Sequence, residues 1–229
     1  MFGSRFGVKQ IWLVGLVIAA SVAPSSEAQT ARRVRRESSA NRKARIQRTI
    51  EETYSHRQEV SGGGGLLRFR PGQYLRRSNE VTFYLNDTYY LNNNKLGVMA
   101  DVHGAYGNAQ IGNTIYNIPD PQISEYIFSA GPSYRFYAKQ RTAASAFVTG
   151  GVGYGKFDTG SKGIPPTLVG IWPAEWRPAF TAGVNLDYNF YPNLAARLTP
   201  TYVGTTFGGT VENSLGFNIG LVYRFGHMK

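Results

Sequence analysis

Few residues in this chain are of types that do chemistry, and their spacing excludes most of it. Gly150-Gly151-Val152-Gly153-Tyr154-Gly155-Lys156 has the glycines and the lysine that begin a phosphate-cradling loop. Phe157 stands where such a loop needs Ser or Thr for magnesium, and no helix pattern follows. Small residues at that place suit a narrow barrel instead, where neighbouring strands and interior side chains must fit together. The histidines, His56, His103 and His227, give no pair with metal-ligand spacing on one element, and no Gly-x-Ser-x-Gly elbow occurs. His103 shares a strand face with Asp101, and a serine such as Ser129 on the next strand completes the one arrangement that suggests catalysis. The competing reading is a satisfied histidine in a polar interior. With no cysteine, disulfides, thiolate zinc sites, iron-sulfur clusters and cysteine nucleophiles are absent. No metal, cofactor or catalytic residue is expected.

The remaining candidates are charges that fall on the small or polar face of an alternating segment: Asp101, Glu125, Arg135, Asp187, Arg197 and Arg224. Asp187 and Arg197 lie at similar distances from the Tyr191-Pro192-Asn193 turn, which sets them opposite each other on adjacent strands. A buried charge needs a partner, so these six are expected to form a lumen network.

The elements that must hold them are strands. The chain has 229 residues, 27 of them glycine, with 14% aromatic and only 17% charged side chains, which excludes a coiled coil, an acidic disordered chain and a charge-rich helical bundle. From about Glu59 onward the apolar period is two. Leu215, Phe217, Ile219, Leu221, Tyr223 and Phe225 alternate with Gly216, Asn218, Gly220, Val222 and Arg224. The segments around 96–107, 125–136, 144–157, 180–190 and 194–202 alternate in the same way, and two weaker segments near 58–70 and 79–91 bring the total to eight. Tight turns at 92–95, 139–142 and 191–193 alternate with longer links at 71–78, 108–122 and 158–175, the asymmetry of an outer-membrane barrel.

Charge placement then orients the sheet. A cation facing lipid at the midplane costs about 2–4 kcal/mol, so the face carrying the six charges must be the interior and the oily face must meet lipid. Asp87, Lys156 and Arg68 fall on the oily face. Lys156 and Arg68 lie near strand ends, and Asp87 marks either a bulge or a different register. Pro132 and Pro200 each remove a ladder donor.

The N-terminal part is separate. Residues 1–28 read as a signal peptide: Arg5 and Lys9, the apolar run Ile11–Ala20, then Ser26-Glu27-Ala28, with Gln29 as the mature start. The run is too short to span a bilayer as a helix. The net charge of +11 prompts a nucleic-acid or membrane-surface reading, but much of the excess is in residues 29–53, after the export signal. That basic periplasmic segment is a disordered tail or, from the spacing of Ile46, Ile50 and Tyr54, a short helix. Its available anions are cell-wall polymer or lipid head groups, and no nucleic acid is expected.

The segments Tyr54-Ser55-His56-Arg57-Gln58-Glu59-Val60 with Gly62–Gly65, Leu96-Gly97-Val98-Met99-Ala100-Asp101-Val102, Ala130-Gly131-Pro132-Ser133-Tyr134-Arg135-Phe136 and Gly220-Leu221-Val222-Tyr223-Arg224-Phe225-Gly226 resemble the outer-membrane β-barrel domain family related to the eight-stranded transmembrane domain of outer membrane protein A. The resemblance covers residues 54–226. It implies an all-β, eight-stranded, antiparallel, up-and-down transmembrane barrel over 54–229, in the outer membrane of a Gram-negative envelope. It also implies that Gly62–Gly65 belong to the first strand, with a linker as the alternative that the sequence alone leaves open. Tyr223 and Phe225 become the assembly signal read by the barrel-assembly machinery, or simply anchors of the last strand. Trp172 and Trp176, in the longest link, are expected at the lipid interface, with a loop binding site as the rival reading. The functional expectation is an integral barrel with a structural or surface-binding role, a lumen filled by polar side chains and no large solute pore. The alternatives are a lipid-modifying barrel enzyme and a narrow channel.

Overall fold

Alternation at period two becomes strand wherever the segment is long enough to cross a bilayer. The computed structural model describes residues 38–91, 94–111, 118, 120–157 and 163–227. The expected signal peptide, the first part of the basic segment and the last two residues lie outside them, as do parts of the links at 92–95, 108–122 and 158–175. The described chain runs as one α-helix, α1 (Ser39–Tyr54), and eight strands, β1 (His56–Phe69), β2 (Ser78–Tyr90), β3 (Leu96–Asn108), β4 (Gln122–Ala138), β5 (Thr142–Phe157), β6 (Glu175–Tyr191), β7 (Leu194–Thr205) and β8 (Glu212–His227), with short 3-10 turns at Pro166–Val169 and Phe207–Gly209. Each strand pairs antiparallel with its sequence neighbour, and β1 pairs with β8 to close the cylinder. No sheet edge is left open, which is what a spanning sheet requires in a solvent that cannot hydrogen-bond.

Gly62–Gly65 are strand, not linker: they pair with Leu85 to Thr82 on one side and Leu221 to Asn218 on the other. Side chains would not fit everywhere there. A Cβ on Gly65 would lie 1.9 Å from the carbonyl oxygen of Phe217, so β1 and β8 approach as closely as they do only because that position is glycine. The phosphate-loop look-alike Gly150–Lys156 is likewise continuous strand within β5, so its amides are committed to the ladder and not turned towards a phosphate.

The two prolines interrupt the ladder where their missing N–H groups would have bonded. Pairing of β4 with β5 lapses between Ala130↔Gly150 and Ser133↔Phe147, around Pro132. Pairing of β6 with β7 lapses between Gly183↔Thr201 and Leu186↔Leu198, around Pro200. Asp87 needs neither a bulge nor a new register. It lies near the short-turn end of β2, where it accepts a hydrogen bond from Gln58 Nε2 at 2.7 Å.

Inward faces are stacked in layers. Next to the short turns sit charged groups, then a belt of Ser, Thr and Asn, then an apolar layer of Leu67, Ala105, Ile127, Ala179 and Val203. At the loop end Phe69, Ile118, Ile123, Phe157, Val169, Ile171 and Phe207 form a second apolar cluster, with the Phe157 and Phe207 rings edge to face at 5.4 Å. The outward faces are a continuous oily belt that includes Val98, Phe128, Val148, Phe180, Leu186, Phe217, Ile219 and Leu221, all exposed.

Candidate functional site

The charged layer is built around a residue that sequence reasoning missed. Glu59 on β1 accepts hydrogen bonds from three arginines: Arg224 Nε at 2.6 Å, Arg197 Nη2 at 3.1 Å, and Arg135 Nη2. Tyr90 adds its hydroxyl at 3.2 Å. Asp187 is the second acceptor. It binds Arg197 in bidentate fashion, at 2.7 and 2.9 Å, and receives Arg224 Nη2 at 3.0 Å. Asp187 and Arg197 are register partners across β6 and β7, as their distances from the intervening turn require. All five ionised side chains are nearly inaccessible.

Three guanidinium groups face two carboxylates, and aromatic rings and amides take up the rest. The Arg135 guanidinium lies 4.0 Å from the Tyr90 ring centroid and 4.9 Å from that of Tyr54, so its charge rests between two π faces. Arg224 Nη1 donates to Asn189 Oδ1 at 2.7 Å, and Arg197 Nη1 to Ser61 Oγ at 3.2 Å. Register shifts after Arg135 in β4 and after Asn189 in β6 lie beside the network. Such bulges bend a strand and re-aim its side chains.

The basic segment supplies the lid of this layer. Residues 39–54 form helix, and its covered face is the one that carries Ile46, Ile50 and Tyr54, spaced four apart. Tyr54 donates to the carbonyl of Lys139 at 2.7 Å and accepts from Asn189 Nδ2 at 2.9 Å. Burial pushes its phenol above the ordinary tyrosine range, which keeps it a donor.

Two of the six expected network members stand apart from it. Asp101 points inward, but it belongs to the polar belt above, with Asn86 and His103, because β3 reaches the short-turn end with Leu96 and Gly97 rather than with an inward acid. Glu125 sits higher still. It and Glu80 occupy neighbouring inward positions on either side of β3, and none of their four carboxylate oxygens has a hydrogen-bond partner among the described residues. Neither acid reaches an arginine because the three network arginines all lie near the other end of their strands. Among the described residues His103, Asp101 and Ser129 are not joined in one group: Ser129 faces Asp101 and donates to Thr149 Oγ1 at 2.9 Å, while His103 Nε2 has no partner among them. Glu59 and Glu80 were both legible in principle. Glu59 is in phase with Ser61, Gly63, Gly65 and Leu67, and Glu80 with Thr82, Tyr84 and Asn86, all of them inward.

At the loop end, Trp176 is exposed on the outer face and packs on Tyr154, 4.9 Å between ring centroids. Trp172 is placed differently. It packs against the apolar loop cluster and over Gly208, where a Cβ would lie 2.1 Å from the indole, and its amide donates to Pro71 O at 2.9 Å. It ties two loops together and is half-buried between them. Tyr223 and Phe225 face outward at the end of β8, with ring centroids 6.0 Å apart.

No protein-family model and no curated protein sequence matches the chain. Solved structures do. Neisserial surface protein A aligns with a TM-score of 0.54 and 13% identity, covering 73% of this chain and 97% of that one. The attachment invasion locus protein Ail of Yersinia pestis aligns at 0.50 and 18%, covering 75% and 99%. The outer membrane protein OprG from Pseudomonas aeruginosa aligns at 0.50 and 12%, covering 77% and 99%. These likenesses establish the fold, which is the closed, eight-stranded, up-and-down barrel of bacterial outer-membrane proteins and the one that the resemblance to the outer membrane protein A family implies. Together with an oily belt that needs hydrocarbon around it, that fold makes the chain a transmembrane barrel of the outer membrane.

Proposed function

We propose that the protein is an integral outer-membrane barrel with a structural or surface-binding role and no solute-sized pore. The observation that carries this is closure of the cylinder at both ends. Guanidinium and carboxylate groups fill the short-turn end under Tyr54, and the phenylalanine cluster fills the loop end. Eight strands leave an interior that side chains can occupy, and here they do. An ion entering would have to separate Glu59 from three arginines or part the apolar plug. Purified protein in a planar bilayer is expected to show no stable open conductance; large, long-lived channels would overturn the reading.

On this reading the loop end presents what a surface partner would meet, and Leu168, Val211 and Tyr74 stand exposed there. The exposed basic side chains of α1, Arg42, Lys43, Arg45 and Arg48, are the part suited to cell-wall polymer on the periplasmic side. Tyr223 and Phe225 serve as the signal for the barrel-assembly machinery. Binding of α1 to isolated cell wall should weaken steeply with salt, and replacing those four basic residues with glutamine should abolish it.

A further inference from the structure

We propose that the wall between β6 and β7 is a lateral port that seats one alkyl chain of a bilayer lipid. A groove of about 440 Å³ opens there on the lipid-facing surface. Outward-facing Ala182, Val184, Pro200, Tyr202 and Leu215 form its sides, while Phe147 and Thr201, which face the lumen, form its floor. Those two residues are 4% and 6% exposed, so the groove reaches down to the edges of lumen-facing side chains that otherwise close the wall.

The wall is thin for two local reasons. Pro200 has no N–H to give Val184, and ladder pairing is absent for the two positions between Gly183↔Thr201 and Leu186↔Leu198. Gly183 puts no side chain between groove and lumen; a Cβ there would lie 2.7 Å from the Phe147 ring and 2.8 Å from Pro200 O. Behind Phe147 is a small cavity of about 10 Å³, which shares Phe147 and Thr201 with the groove and is also bordered by the polar residues Asp101, His103 and Thr181. Asp101 Oδ2, His103 Nε2 and Thr181 Oγ1 have no hydrogen-bond partner among the described residues, although each residue is at most 4% exposed. Such groups are costly unless something polar meets them, and the cavity has room for one water.

The occupant of the groove follows from its surroundings. No ionisable side chain other than the Tyr202 phenol lines it, it is continuous with the oily belt, and hydrocarbon is its neighbour. Phe147 is therefore the single ring between a lipid chain and the small cavity, and the lumen of a barrel closed at both ends is approached from the side. The inference rests on the lipid-facing orientation of the belt and is independent of whether the barrel conducts.

The test is depth-resolved fluorescence quenching in bilayers of phospholipid brominated at mid-chain. Phe147→Trp is made in a background in which Trp12, Trp172 and Trp176 are phenylalanine. Val148→Trp, at the adjacent outward position, sets full lipid contact, and wild-type Trp172 alone sets protection. The Phe147→Trp protein is expected to be quenched at least half as strongly as the Val148→Trp protein, and Ala182→Phe, which fills the groove mouth, is expected to remove most of that quenching. Quenching no greater than that of Trp172, or quenching that Ala182→Phe leaves unchanged, overturns the port. If Phe147→Trp fails to fold, the wild-type protein is irradiated in bilayers containing a phospholipid with a diazirine on its acyl chain. Lipid adducts on Thr201 or Phe147 support the port. Adducts confined to outward-facing side chains, or cross-links to a second copy of the chain, overturn it.

Discussion

Replacing Glu59 with glutamine tests whether the charged layer holds the barrel together. The substitution keeps shape and one carbonyl acceptor but leaves three buried guanidinium groups facing Asp187 alone, where they had faced two carboxylates. Because Glu59 is 1% exposed, water cannot take over its role. Breaking a buried ion pair by removing one partner costs about 3–5 kcal/mol, and here the lost partner served three cations. Against a typical stability of about 5–15 kcal/mol, Glu59→Gln removes a fifth or more, a fall in the folding constant of about a hundredfold to several thousandfold. The penalty is mostly uncompensated charge, so removing one of the surplus cations should repair it. In the Glu59→Gln background, Arg135→Met places a flexible thioether between the Tyr90 and Tyr54 rings and is expected to restore about half of the loss. The assay is urea unfolding of protein folded into lipid, followed by tryptophan fluorescence and by the gel-mobility difference between folded and heated samples. A Glu59→Gln midpoint within about 0.5 kcal/mol of wild type, or a double variant no more stable than the single one, refutes the assignment.

The other perturbations use the same assay. Arg197→Ala breaks the bidentate pair with Asp187 and is expected to cost about 3–5 kcal/mol; unchanged mobility and unfolding would remove the network from any structural role. Glu125→Gln replaces one member of a buried acid pair, which no cation offsets among the described residues, with a neutral amide that can donate to Glu80, so it should leave stability unchanged or raise it by up to about 1 kcal/mol, and a loss would mean that the carboxyl has a partner worth keeping. Gly65→Ala should destabilise by about 1–3 kcal/mol or prevent closure of β1 on β8, because its Cβ meets Phe217 O, whereas Gly150→Ala, with nothing within 4 Å, should change stability by less than about 0.5 kcal/mol. Ile219→Arg, on the lipid face of β8, should cost about 2–4 kcal/mol in bilayers.

Alternation alone was enough to read which side of each strand meets lipid, because a period of two leaves no third choice of face. Phe217, Ile219 and Leu221 stand outside, and Arg224, Asp187 and Arg197 inside, as that reasoning requires. Local turn geometry was also legible, since a tight turn fixes register and with it the facing of Asp187 and Arg197. Glu59 escaped notice because it follows a stretch dense in arginine and reads as one more counter-charge of that segment until the phase of β1 is followed back through its glycines.

Height along the cylinder axis is what sequence periodicity leaves open. Asp101, Glu125 and Arg135 all face inward, yet only Arg135 reaches Glu59, because the stagger of eight tilted strands decides which inward residues share a level. The same holds for Trp172, whose place inside the loop cluster depends on Gly208 and Pro71, both far from it along the chain. Side-chain facing is a property of two adjacent peptide units, so the amino-acid order by itself determined it. Contact among residues on β1, β4, β6, β7 and β8 exists only after the sheet has closed, so only the tertiary structure could decide that three arginines converge on one glutamate.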